Sequence, residues 1–171
     1  METIAGTRSF GQRMKDAAML DPGLYEEVEH DASATGQAAG VVAIVAVCAA
    51  IGQAGAGIGG IVGAAAGALI GWLVLAGIVY LVGDKIFGGT ATWGEMLRTM
   101  GFAQAPGVLY ILGIIPLLGG LIAFVVWLWI LVAVVVAIRQ GLDVGTGKAV
   151  ATGVLAWIGY VLVAGALGFL F

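Results

Sequence analysis

Charged and apolar positions divide this chain into a polar leader and three long uncharged tracts. Ala32 to Gly83 runs fifty-two residues without a formal charge, Thr99 to Ile138 runs forty, and Ala149 to Phe171 runs twenty-three. One helix crosses the hydrocarbon core with about 20 apolar residues. The first two tracts therefore predict two crossings each and the third predicts one. Pro116 and the pair Gly119-Gly120 fall in the middle of the second tract, where proline and glycine end helices and permit a tight turn. Pro106, one turn into the first arm of that hairpin, removes a backbone donor at membrane depth, so neighbouring helices are expected to cover it. In the first tract the spans are expected at about 37–52 and 60–83. The fold class is an all-α integral membrane protein: a five-span helical bundle over residues 37–171, preceded by an N-terminal tail, residues 1–36.

Within the tail, Phe10, Met14, Ala17 and Ala18 share one side of a helix while Arg13, Lys15 and Asp16 lie elsewhere. That is a weak amphipathic pattern, fit to lie in a lipid interface. Asp21-Pro22 reads as an N-cap followed by proline at the first helical position, and Glu26, Glu27, Glu29 and Asp31 follow as a solvated acidic face suited to the positive end of a helix dipole. Thr92 and Glu95 match a capping box that opens a short helix at Trp93. Gly55, Gly59, Gly63, Gly67 and Gly71 stand four residues apart and so share one helix face. Such a bare stripe lets another helix approach closely, which is how membrane helices pack without a hydrophobic drive; the facing helix is expected in the same chain.

Composition sharpens this picture by exclusion. Charged residues are 10% and hydrophobic residues 61% of the 171-residue chain, against about 25% charged in soluble domains; mean hydropathy is +1.11. The single Cys48 excludes an internal disulfide and any multi-cysteine metal site. A polar start rather than an apolar run argues against a cleaved leader. The one histidine, His30, lies in the tail and reads as a solvated side chain, and the only serines are Ser9 and Ser33. No catalytic set can be assembled from these residues, no cofactor is implied and no metal site is expected. The loop at 139–148 fails the phosphate-loop pattern, since Leu142 stands where glycine is needed and Ala149 where Ser or Thr is needed. Ion-coupled transport usually leaves ionisable residues inside spans, and the three tracts have none. Gln104, two before Pro106, is expected to cap carbonyls freed by the kink. Trp127 and Trp129 are expected to pack against a neighbour.

All seven basic residues, Arg8, Arg13, Lys15, Lys85, Arg98, Arg139 and Lys148, fall in the tail and in the loops at 84–98 and 139–148. With five spans those segments share one face, so the positive-inside rule predicts a cytoplasmic N-terminus and an external C-terminus.

Three stretches carry a resemblance: LYEEVEHDASATGQA (24–38), TATWGEMLRTMGFAQAPGVLYILGIIPLLGGL (90–121) and VAIRQGLDVGTGKAV (136–150). Over most of its length, from about Leu24 onward, the chain resembles a bacterial member of the Yip family, the Ypt/Rab-interacting membrane proteins. The resemblance implies five spans with a cytoplasmic N-terminus, in the bacterial cytoplasmic membrane here. In eukaryotes it implies work with Rab-type GTPases in vesicle traffic and membrane shaping.

The expected function is that of a non-catalytic interaction or organising protein acting through its cytoplasmic face. Arg98, Arg139, Lys148, Glu26 and Glu27 are the candidate contacts to a protein partner or to lipid headgroups. An accessory subunit of a larger membrane complex is the alternative, and a small oligomeric transporter or channel stands behind both. Its partners are the bilayer and another membrane protein or further copies of itself, with no nucleic acid.

Overall fold

The computed structural model describes residues 8–53 and 57–170, with side chains as far as residue 166. Helices account for all the regular structure of the described residues: α1 (Phe10–Ala18), α2 (Pro22–His30), α3 (Ala34–Gly52), α4 (Ile58–Lys85), α5 (Trp93–Phe102), a 3-10 helix (Ala105–Ile114), α6 (Gly119–Gly141) and α7 (Thr146–Leu170). Four of them are long and apolar enough to cross a membrane: Ala34–Gly52, Ile58–Lys85, Gly119–Gly141 and Thr146–Ala166.

The segment expected to be a third regular span is built differently. A capping box starts α5, with Thr92 accepting from the Glu95 amide and Glu95 from the Thr92 amide. The α-helix stops at Phe102, and the chain continues as a ten-residue 3-10 helix with Pro106 in its first turn. Proline's missing N–H and its ring disfavour α-helix across that point, whereas the tighter i to i+3 pattern continues past it. A 3-10 helix rises about 2.0 Å per residue against 1.5 Å in an α-helix, so these ten residues cover roughly 20 Å.

Glycines set the register of this segment against its neighbours. A Cβ at Gly101 would press on Ala38, at Gly107 on Val45, and at Gly113 on Gly52; one at Gly52 would collide with the Tyr110 carbonyl. Between Ala38 and Gly52 α3 advances about 21 Å, and the α5–3-10 segment keeps pace beside it. The same segment runs antiparallel to α6: Gly141 abuts Met96 and Thr99, Ile130 reaches Gly107, and Gly119 abuts Gly113. α4 returns past α5, with the Trp72 indole donating to the Leu97 carbonyl at 3.0 Å. α7 packs outside α4, where Tyr160 closes on Gly71 and Ile78 on Gly159.

Irregular backbone at membrane depth is tolerated only where protein covers it, and the burial follows that rule. Every residue from Met96 to Ala103 is buried, as are Ala105, Pro106 and Gly107. The cover expected over Pro106 is therefore present. Gln104 does not serve as the cap: its side chain makes no capping hydrogen bond. The hairpin turn falls at Ile115–Leu118, just before α6 begins at Gly119, with Leu117 in the left-handed region at φ 66°.

Among the described residues the glycine stripe meets little. Nothing lies within 4 Å of a Cβ built at Gly59, Gly63 or Gly67, and only Gly71 meets a neighbour, Tyr160; Gly55 lies outside the described residues. The close approaches inside the bundle are made instead by Gly52, Gly101, Gly107, Gly113, Gly119 and Gly141.

Candidate functional site at the charged end of the bundle

The charged ends of α4, α5, α6 and α7 and the polar start of α3 meet at one end of the bundle, and α1 and α2 fold over it. α1 has Ser9 as N-cap, accepting from the Gln12 amide. Its apolar side packs as the sequence suggests: Ala17 is buried, and Phe10, Met14 and Ala18 lie against the core. α2 has the expected Asp21 cap and Pro22 start. The acidic residues, however, are absent from its first turn. They crowd its second half, where the helix dipole does not favour them, so other groups must hold them.

Arg13 holds two of them from inside, and Arg98 holds the end of the helix itself. Arg13 is 2% exposed and reaches three partners on other elements: Glu27 at 2.9 Å, Gln37 at 3.0 Å and Asp31 at 2.7 Å. Hydrogen bonds from Ser33 and then from Arg13 hold the Asp31 carboxyl below its usual range. Arg98 is 8% exposed. Its Nε donates to the Val28 carbonyl at 2.8 Å and its Nη2 to that of Glu29, at the C-terminal end of α2, where helix carbonyls lack intrahelical donors. A guanidinium placed there also complements the negative end of the dipole. Further ties come from α6: Trp129 donates to the Ala18 carbonyl at 2.8 Å, and Gln140 to Glu26 Oε1 at 2.6 Å.

Glu29 is the exception to this pattern of satisfied charge. It is 6% exposed, and its Oε2 has no hydrogen-bond partner among the described residues. Burial first, then the charges of Asp143, Glu26 and Glu95, push its pKa up to about 7, with His30 opposing. His30 itself is exposed, and its Nδ1 lies 2.9 Å from the Glu26 carbonyl.

The two connecting loops are clamped to each other. Leu142 is fully buried and fills the space beside Gly83 and Gly89. Thr90 donates through its amide to the Leu142 carbonyl at 3.3 Å and through its hydroxyl to Asp143 at 3.1 Å. Lys148 donates to the Phe87 carbonyl at 3.0 Å.

The candidate contacts therefore divide. Arg98 is internal and holds α2. Glu27 is engaged by Arg13 and Arg8, and Glu26 by Gln140. Arg139 is half-buried, with its Nε on the neighbouring Gln140 side chain at 2.9 Å. Lys148 is exposed, as are Lys15 and Lys85, the last paired to Asp84. Trp129 packs on α1, while Trp127 faces outward beside Phe124, ring centroids 6.2 Å apart. The buried roles of Arg13 and Glu29 were not read from the sequence, because helical position alone placed them on the polar side.

Long apolar helices with exposed hydrophobic flanks, and charge gathered at one end, define a polytopic helical membrane protein. A family model, the Yip1 domain, matches residues 24–168. The chain belongs to the Yip1 family, a non-enzymatic family of membrane proteins. No curated protein and no solved structure gives a significant match.

Proposed function

We propose that this protein is a non-catalytic membrane interaction protein that presents its charged end to the cytoplasm and binds a protein partner there. The observation that carries this reading is the convergence of α1, α2 and both charged loops into one braced surface. Lys15, Lys85 and Lys148 project from it, while Arg13 and Arg98 are consumed inside it. Rigid bracing of short polar elements costs conformational entropy, and a platform held for recognition recovers that cost as preorganisation. In this reading α5 and the 3-10 helix make the third of five crossings, keeping pace with α3 from Ala38 to Gly52, with the N-terminus inside and the C-terminus outside.

A photo-crosslinking residue at position 15, 88 or 148, introduced in intact membranes, tests the reading. Capture of one stoichiometric partner from these positions, and not from position 63, supports it. The accessory-subunit alternative rests on the stripe Gly59, Gly63 and Gly67, exposed and without a close neighbour among the described residues. Capture from position 63 alone favours that alternative.

A further inference from the structure

We propose that the C-terminal half of α2 binds one divalent metal ion of the Zn2+ or Mn2+ class through Glu26, Glu29 and His30. This site lies on α2, at the same charged end, and does not depend on a protein partner binding there. The three residues are spaced i, i+3 and i+4, one helix face, and one donor atom from each lies within 4.8 Å of the others.

The observation that points to a ligand is Glu29. Its carboxylate is nine-tenths buried and one oxygen is shielded without a hydrogen-bond partner among the described residues. Such a group is costly unless it is neutralised. The charges facing it are Glu26 and His30 on its own helix, Glu95 on α5 and Asp143 after α6. The nearest arginines on those elements are engaged elsewhere: Arg98 on the Val28 and Glu29 carbonyls, Arg139 on Gln140. No arginine described thus pairs with the unpartnered Glu29 carboxylate oxygen, at the end of a helix where the dipole favours a cation.

Two further contacts suit ligation. A carbonyl oxygen only accepts, so the 2.9 Å contact from His30 Nδ1 to the Glu26 carbonyl places the ring proton on Nδ1. The Nε2 lone pair is then free, the arrangement in which metal-bound histidines are held. Gln140 pins one Glu26 oxygen at 2.6 Å, leaving the other to ligate. One imidazole and two carboxylates suit Zn2+ or Mn2+, with water completing the shell. Ligand bonds of about 2.0–2.2 Å require the donors to close by roughly 1 Å, and Glu26 and His30, both partly or fully exposed, can turn to do so.

Titration of Zn2+, and separately Mn2+, into the full chain purified in mild detergent tests the proposal by calorimetry. One saturable equivalent is expected for at least one of the two ions, with an affinity at least tenfold weaker in His30→Ala and in Glu29→Gln. Asp84→Asn, which alters a carboxylate outside the cluster, is expected to stay within threefold. The bound ion is also expected to raise the Tm of the wild type and leave that of His30→Ala unmoved. Glu29→Gln removes a buried charge and is expected to fold, which its unfolding midpoint in chelator checks, so that a loss of binding is distinguished from a folding defect. Absence of saturable binding, or wild-type affinity in both variants, overturns the proposal.

Discussion

Arg98 on α5 donates through Nε to the carbonyl oxygen of Val28, seventy residues earlier, at 2.8 Å. With its second donation to Glu29 this single side chain ties the N-terminal helices to the most deeply buried segment of the bundle. Removing it leaves two carbonyls at the end of α2 without a donor in a buried setting. Arg98→Ala is expected to lower stability by about 2–4 kcal/mol and to open residues 8–30 to protease. Lys148→Ala, whose side chain is exposed, should change stability by under about 0.5 kcal/mol. Chemical unfolding in detergent and limited proteolysis check both. Equal effects would remove Arg98 from its bracing role.

Two classes of glycine should respond in opposite ways. A methyl group at Gly52 or Gly101 would meet the Tyr110 carbonyl or Ala38, and overpacking of this kind costs about 1–3 kcal/mol. A methyl group at Gly63 or Gly67 meets nothing within 4 Å among the described residues. There the gain in helix propensity, about 1 kcal/mol, meets no opposing contact among the described residues. Unfolding midpoints of the four alanine variants in dilute detergent check this. A loss at Gly63 as large as at Gly52 would show that the stripe packs in solution.

Glu29 predicts an inverted pH response. Its folded pKa is raised from 4.5 to about 7, so between those values the folded state binds more protons than the unfolded chain. The contribution is fully present below pH 4.5 and is lost as pH rises through 7. In chelator, Glu29→Gln should match the wild type near pH 4.5 and exceed it by about 3 kcal/mol at pH 8. Asp31, whose pKa is lowered by Ser33 and Arg13, works in the opposite sense in both proteins and cancels in the comparison. Parallel stability curves for the two proteins across that range would place Glu29 in water.

Topology distinguishes a five-crossing bundle from one with four. A periplasmic-activity reporter fused after Phe171 should be active, and one inserted near Gly89 inactive. Activity at neither position would put both ends in the cytoplasm and reduce α5 and the 3-10 helix to a re-entrant segment.

What the sequence determined by itself is what depends on local chemistry and on the solvent. Uncharged tract length announces membrane helices because a charge in hydrocarbon is expensive wherever it sits, and Thr92 with Glu95, or Asp21 with Pro22, act within one helical turn. What only the tertiary structure decided is which neighbour each residue meets. The stripe Gly55 to Gly71 has the better sequence pattern, yet the bundle closes on Gly101, Gly107, Gly113 and Gly119. Gly107 and Gly113 stand six residues apart within the 3-10 helix, one face of a helix with three residues per turn, a signal legible only once the 3-10 geometry around Pro106 is known. Likewise, Arg13 and Arg98 read as surface charge until α2 folds back, because burial of a charge is set by partners distant in the chain. Glu29 differs from Glu26 and Glu27 by where α5 and the α6–α7 loop happen to press, and no spacing in the chain encodes that contact.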